Sequence, residues 1–364
     1  MQDMNHFDAP RVGILPAGER NRISDVAGVR VGHTTLEQGD IQTGVTAIHP
    51  HNGDIFLEKA PAAVTIINGF GKSIGLVQLR ELGVIETPIA LTNTFSVGEI
   101  ATAQLKLATA AHTEIGRSWP TLNPLVLECH DGYLNDIQAF AVRQSHYEQA
   151  VASAGADFAQ GAVGAGRGMS CFRLKGGIGS ASRLAVWEDG ARHTVGALVL
   201  ANFGRLPSLV VGGVPVGRML ASEQAAPQAS GMLAEQDKGS IIIVLATDAS
   251  LDTRQLGRLS RRAAAGLART GSFYGHGSGD IALAFSTAYR IPFQADAAMP
   301  SVTTLHETRM DALFEATAEA TEQAIINALW AAITVSGRDG HIRTAIHELL
   351  PDWREVLAQQ SAKG

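Results

Sequence analysis

Ser240 directly follows Gly239, where a polar loop gives way to the apolar run Ile241, Ile242, Ile243, Val244 and Leu245. A Gly-Ser bond at the mouth of a buried strand is a place where a chain can cut itself, because glycine lets the backbone leave its preferred geometry. The cut would make Ser240 a new N-terminus, with a hydroxyl and an α-amine on one residue. An α-amine has an unperturbed pKa of about 7.7–8.0, close to what a general base needs near neutral pH. The nucleophile would then carry its own base, as N-terminal threonines do in variants of the catalytic triad. The chemistry this junction could support is self-activated amide hydrolysis.

Such a serine needs partners. Downstream, Ser278 and Asp280 stand two apart at the start of another apolar run, 281–285. Residues i and i+2 share one face if the strand has already begun. The pair could then hydrogen-bond the Ser240 hydroxyl and hold its α-ammonium, the carboxylate tuning the amine pKa. On spacing alone, the commoner use of such a pair is a turn in a Gly-rich loop. Upstream, Asn202 ends the run 195–201, where a side-chain amide could donate to an oxyanion; a lone Asn before Phe203 and Gly204 is also a frequent turn residue. A third segment gathers Glu128, Asp131 and Tyr133 after the run 125–127. The acids could take a substrate ammonium and the phenol could donate to an oxyanion; the plainer reading is a polar turn with a half-buried tyrosine.

Other motifs are weaker. Gly71, Ser73 and Gly75 fit the G-x-S-x-G elbow, with His341 or His347 available later as a base. In a chain with 39 glycines such matches arise by chance. The same stretch imitates the end of a P-loop, but Ile66 stands where its first glycine belongs. The glycines at 161–168 and 176–179 lack dinucleotide-loop spacing and read as places of close backbone approach. His49 with His51, and His130 with Asp131, have no third metal ligand nearby in sequence. Cys129 and Cys171 form neither a disulfide framework nor a zinc set and read as small buried hydrophobes. The constellation calls for no metal and no cofactor.

The elements that must position these residues follow from apolar patterning. Runs at 63–67, 88–91, 125–127, 195–200, 209–211, 241–245 and 281–285 barely alternate and read as strands buried on both faces. Helical patterns cover 97–113, a segment that opens at Asp248 and stops before Gly271, and about 311–334. The polar, Pro- and Gly-containing stretch 218–238 reads as an exposed loop that ends at the expected cut. Mixed strands and helices imply helix-covered sheets. A chain of 364 residues with 45% hydrophobic content can bury a large core. The net charge of −6 disfavours nucleic acid, and Arg254, Arg258, Arg261, Arg262 and Arg269 read as a solvated or salt-bridged helix face. The N-terminus lacks an apolar leader and no run is long enough for a membrane span, so the expected location is cytoplasmic.

Taken together, the segments 23–33, 67–73, 131–136, 175–183, 201–204, 238–242, 246–248, 277–281 and 313–317 resemble the DmpA-like family of L-aminopeptidase/D-amidase-esterases, which includes the β-peptidyl aminopeptidases. The resemblance covers nearly the whole chain. It implies a single four-layer α/β/β/α sandwich, akin to the N-terminal-nucleophile hydrolases. It also implies autocleavage between Gly239 and Ser240 into chains 1–239 and 240–364, which stay together and assemble as a tetramer of pairs. Carried residue by residue, the nucleophile falls on Ser240, its supporting pair on Ser278 and Asp280, the family's tyrosine on Tyr133 and its asparagine on Asn202. The run from Glu128 to Asp131 departs from the family pattern and borders the expected substrate pocket. The implied activity is hydrolysis of small peptides, amides or esters that carry a free amino end. The rival readings are amino-acid N-acetyl transfer of the ornithine acetyltransferase type, which uses threonine in place of Ser240, a G-x-S-x-G hydrolase built on Ser73, and an uncleaved binding protein that kept the fold.

Overall fold

In the strand β11 (Ser240–Thr247) every residue is buried. Successive side chains of a strand point to opposite faces, so Ile241, Ile243 and Leu245 enter one apolar core while Ile242, Val244 and Ala246 enter another. Such a strand requires a packed layer on each side. The computed structural model describes residues 7–223, 239–295 and 300–361 and contains both layers.

β11 lies in the larger of two main sheets, ordered β13 (Ile291–Pro292), β3 (Glu58–Gly69), β12 (Gly279–Ser286), β11, β10 (Arg192–Asn202) and β9 (Gly177–Val186), with β4 (Val84–Ile85) paired to β3. The other runs β1 (Arg30–Gln38), β2 (Ile41–His49), β5 (Ile89–Asn93) and β6 (Val126–Cys129). The sheets are mixed: β11 with β12 and β5 with β6 are parallel, and the other pairings of these strands are antiparallel. Between the sheets, Ile48, Leu91 and Leu127 pack with Leu198, Ile242 and Leu283. The helices Thr253–Arg269 and Met310–Trp330 cover the outer face of the larger sheet through Leu256, Leu259, Leu313 and Ile325. The helices Val97–Ala111 and Gln144–Ala152 cover the smaller sheet through Ile100 and Tyr147. The result is the expected α/β/β/α sandwich.

Three expectations about elements are corrected. The run 209–211 is no strand: it follows a short turn at Leu206–Ser208, and Val211 exchanges backbone bonds with Val214 across a tight reversal, at 2.9 Å in each direction. The helix expected from Asp248 begins at Thr253, because Asp252 accepts the Gln255 N–H at 2.7 Å and caps it; the Asp248 carboxylate instead accepts the Thr194 N–H. Of the expected loop 218–238, residues 218–223 belong to the helix Val216–Glu223, and 224–238 lie outside the described residues. The arginine face is salt-bridged: Arg254 and Arg258 both pair with Glu307, and Arg262 lies 4.1 Å from the Phe314 ring centroid. Among the described residues, no helix is long and apolar enough to cross a membrane.

Candidate active site

Ser240 is the first residue of β11, and the sheet register fixes its neighbours. It stands opposite Asn202, the last residue of β10, and opposite Gly279, the first of β12. Three strand ends therefore meet at one end of the larger sheet's central strands. Ser240 is 6% exposed, and its Oγ accepts the Gly279 N–H at 3.1 Å. Gly239 fits between strands only because it lacks a side chain: an added Cβ would lie 2.4 Å from both the Asn202 carbonyl oxygen and the Phe203 Cα.

Ser278 and Asp280 pair as the spacing suggested, although β12 begins only at Gly279. The Ser278 hydroxyl donates to Asp280 Oδ1 at 2.7 Å, and Asp280 is fully buried opposite Ile241, one position along from Ser240. The Asn202 Oδ1 accepts the Ser170 N–H at 2.8 Å, and its Nδ2 donates to the His130 carbonyl at 2.9 Å. These bonds orient the amide and commit one of its two N–H donors.

Tyr133 lies partly buried in the turn after β6. The turn closes on the carbonyl of Asp131, which accepts the N–H groups of Leu134 and Asn135 at 3.1 Å each. The Tyr133 ring stacks on His341, centroids 4.5 Å apart, and the Arg343 guanidinium carbon lies 3.5 Å from the same ring's centroid.

The two carboxylates expected to meet a substrate ammonium are not equivalent. Glu128, at 3% exposed, accepts the Lys72 N–H at 2.8 Å on Oε1 and the Thr94 hydroxyl on Oε2. Asp131 has no exposed surface, and its Oδ1 accepts the Asn135 side-chain amide at 3.1 Å. It lies beneath Gly168, where an added Cβ would stand 2.8 Å from the Asp131 Cβ. Both acids are buried, and Asp131 is tied into its own turn through Asn135. Cys129 sits among these acids: burial first, then the charges of Glu128 and Asp280, push its thiol well above its usual range.

Burial lifts the Asp131 pKa from its ordinary value to about 7, against hydrogen bonds that lower it. The folded-state pKa thus exceeds the unfolded one of about 3.9, so the folded chain binds the extra proton in between. Its contribution to stability is full below about pH 4 and is lost as pH rises through 7. Asp131→Asn, which cannot ionise, should gain on the wild type in urea midpoint between pH 4 and 8. A difference that stays constant over that range would show that the carboxyl does not titrate there.

Several residues at the site carry no sequence signal of their own. Ser170, Thr94 and Arg343 come from distant segments and belong to no motif. Lys72 stands in the rejected P-loop match and contributes a backbone N–H to Glu128. In sequence, His341 offers itself only as a base for the elbow motif. Instead it stacks on Tyr133, and the Ser73 Oγ has no hydrogen-bond partner among the described residues. Lys175, fully buried, donates to the carbonyls of Gly166, Met169 and Gly176 at 2.7–2.9 Å and pins the loop that carries Ser170.

A serine opening a central strand, between two sheets that are each covered by helices, is the arrangement of the N-terminal-nucleophile hydrolases, and the chain is a hydrolase of that class. The chain belongs to peptidase family S58, whose profile matches residues 21–343. It is 41% identical over 344 residues to the β-peptidyl aminopeptidase BapA of Sphingosinicella microcystinivorans, covering 89% of this chain and 85% of that one. Among solved structures, the PH0078 protein of Pyrococcus horikoshii OT3 superposes with a TM-score of 0.87 at 48% identity, covering 95% of this chain and 97% of the other. The L-aminopeptidase D-Ala-esterase/amidase of Ochrobactrum anthropi, described as a prototype of the serine aminopeptidases and a variant of the Ntn-hydrolase fold, gives 0.84 at 33% identity over 95% and 97% of the two chains. Family membership selects the aminopeptidase reading over acetyl transfer and over the Ser73 elbow.

Proposed function

We propose that the chain cuts itself between Gly239 and Ser240, and that the freed Ser240 hydrolyses small peptides, amides or esters with an amino end, β-amino acyl groups among them. The observation that carries this reading is the placement of Ser240: first in its strand, directly after a glycine, with Asn202 and Gly279 as its register partners. The β-peptidyl relative supports the substrate class.

In the precursor, the Ser240 hydroxyl attacks the Gly239 carbonyl. The C–N bond breaks as an ester forms, and the nitrogen takes the hydroxyl proton. Water hydrolyses that ester, leaving the Gly239 carboxylate and a free Ser240 amine. In turnover, Oγ attacks the substrate carbonyl and passes its proton to the α-amine. The oxyanion is met by the remaining Asn202 N–H and by the Tyr133 hydroxyl. Collapse breaks the amide bond, and the leaving amine takes the proton from the α-ammonium. Water, deprotonated by the same amine, then releases the acid and restores Ser240. Asp280, held by Ser278, orients the α-ammonium and favours its charged form. Glu128 takes the substrate ammonium, while Asp131 holds the turn that carries Tyr133.

Intact mass and N-terminal sequencing of active protein test the first step. Two fragments, the second beginning at Ser240, are expected; a single uncut chain with full turnover would sink the mechanism. A panel of aminoacyl p-nitroanilides reads the substrate class, with the β-alanyl compound expected among those turned over and its rejection limiting the enzyme to α-amino ends. The family resemblance supports an assembly of several cleaved pairs; light scattering on the purified enzyme reads the assembly's mass.

A further inference from the structure

The segment 335–343 lies about 100 residues beyond Ser240 in sequence and yet closes around the Tyr133 turn. It folds as the hairpin of β14 (Val335–Ser336) and β15 (Ile342–Arg343). Three consecutive carbonyls of the turn accept from it. The Gly132 oxygen takes Arg338 Nε at 2.7 Å, the Tyr133 oxygen takes His341 Nδ1 at 2.9 Å, and the Leu134 oxygen takes the Arg338 backbone N–H at 2.8 Å. A carbonyl can only accept, so the His341 proton on Nδ1 is fixed. The approach is tight: a Cβ at Gly337 would lie 1.9 Å from the Leu134 oxygen.

Arg343 extends this clamp to the second candidate oxyanion donor. Its guanidinium carbon lies 3.5 Å from the Tyr133 ring centroid, and its Nε donates to the Ser170 hydroxyl at 3.0 Å. The backbone N–H of the same Ser170 holds the Asn202 Oδ1 at 2.8 Å. Ser170 opens β7 (Ser170–Cys171), which pairs with β8 (Leu174–Lys175), and the buried Lys175 ammonium fixes that short ribbon from below. One guanidinium thus touches the phenol ring directly and reaches the amide through one residue. A planar cation suits both contacts, stacking on a ring while presenting a directed N–H.

The geometry points to Arg343 as a positioning residue for the oxyanion site, setting Tyr133 by stacking and Asn202 through Ser170. The inference rests on the assignment of Tyr133 and Asn202 as oxyanion donors. Arg343 belongs to the 240–364 piece, whereas Tyr133, Ser170 and Asn202 belong to the 1–239 piece. The nucleophile and the device that aims the oxyanion donors therefore travel on the same fragment, and the site is complete only while the fragments stay together.

Four variants test this on purified, fully processed enzyme with a p-nitroanilide substrate: Arg343→Met, Arg343→Lys, Tyr133→Phe and the double variant Arg343→Met/Tyr133→Phe. Arg343→Met is expected to lower kcat about 10- to 100-fold with KM within about threefold of wild type, the pattern of an interaction made in the transition state. Arg343→Lys keeps the charge but loses the stack and the Nε bond, and should lose about tenfold. Because one of the two arms of Arg343 acts through Tyr133, the double variant should lose clearly less than the product of the two single losses. Arg343→Met with wild-type kcat, a fully active Tyr133→Phe, or losses that multiply in the double variant would each overturn the inference. If Arg343→Met does not fold, Arg343→Lys with wild-type kcat overturns it equally. Ser240→Ala separates this from the parent reading: an active Ser240→Ala defeats the mechanism as a whole, whereas an inactive Ser240→Ala beside an unimpaired Arg343→Met defeats the positioning role alone.

Discussion

Ser240→Ala should accumulate as one uncut chain of 38.3 kDa and lose turnover of aminoacyl p-nitroanilides by at least about 10,000-fold. The size of the loss follows from the double duty of the residue. Without Oγ there is no attack on the Gly239 carbonyl, so the α-amine is never released, and no hydroxyl remains to form an acyl-enzyme. Nucleophile and base disappear in one substitution. The fold should survive, because the change removes one oxygen whose partner in the structure is the Gly279 N–H. Ser240→Cys keeps a nucleophile and should retain measurable processing. Ser73→Ala, the matching control for the elbow motif, should stay within about twofold of wild type on the same reasoning, since catalytic losses of this size need a residue acting at the reacting atoms. A processed and active Ser240→Ala would defeat the mechanism, and a dead Ser73→Ala would revive its rival.

Gly239→Ala carries the second large effect. Its Cβ would stand 2.4 Å from the Asn202 carbonyl oxygen and from the Phe203 Cα, both backbone atoms of the neighbouring segment. Neither can move aside as a flexible side chain could. To relieve the contact, the junction must swing away from Asn202, and with it the carbonyl that Ser240 is to attack. Positioning errors of about 1 Å can cost about 100-fold in rate. The variant should therefore process at least 100-fold more slowly while keeping the circular dichroism spectrum of the uncut Ser240→Ala protein. A time course of band conversion on denaturing gels reads this directly. Conversion at the wild-type rate would mean that the precursor cuts itself in some other geometry.

The layered fold was largely legible because its signals are local. Runs such as 241–245 and 281–285 are too short for helices and too uniformly apolar for half-exposed strands, and both sit in the middle of the larger sheet. Boundaries were less legible. The helix after β11 starts where Asp252 can cap it, and Asp248, four residues earlier, offered the same kind of cap in sequence. The run 209–211 has strand composition, but a tight turn claims it before a partner strand can.

By itself the sequence determined the apolar runs that must be buried on two faces, the glycine that permits a strained junction, and the Ser278-Asp280 spacing that lets a hydroxyl reach a carboxylate two residues away. These are properties of adjacent residues, governed by backbone geometry and side-chain chemistry alone. Tertiary structure decided how each acid is held: Glu128 and Asp131 are three residues apart and alike in sequence, and only packing puts Glu128 against Lys72 and Thr94 and Asp131 beneath Gly168. It also decided that Arg343 and Ser170 would reach Tyr133 and Asn202, since such contacts depend on how strand ends from distant segments converge. Burial and long-range register are sums over the whole chain, and no local run of residues encodes them.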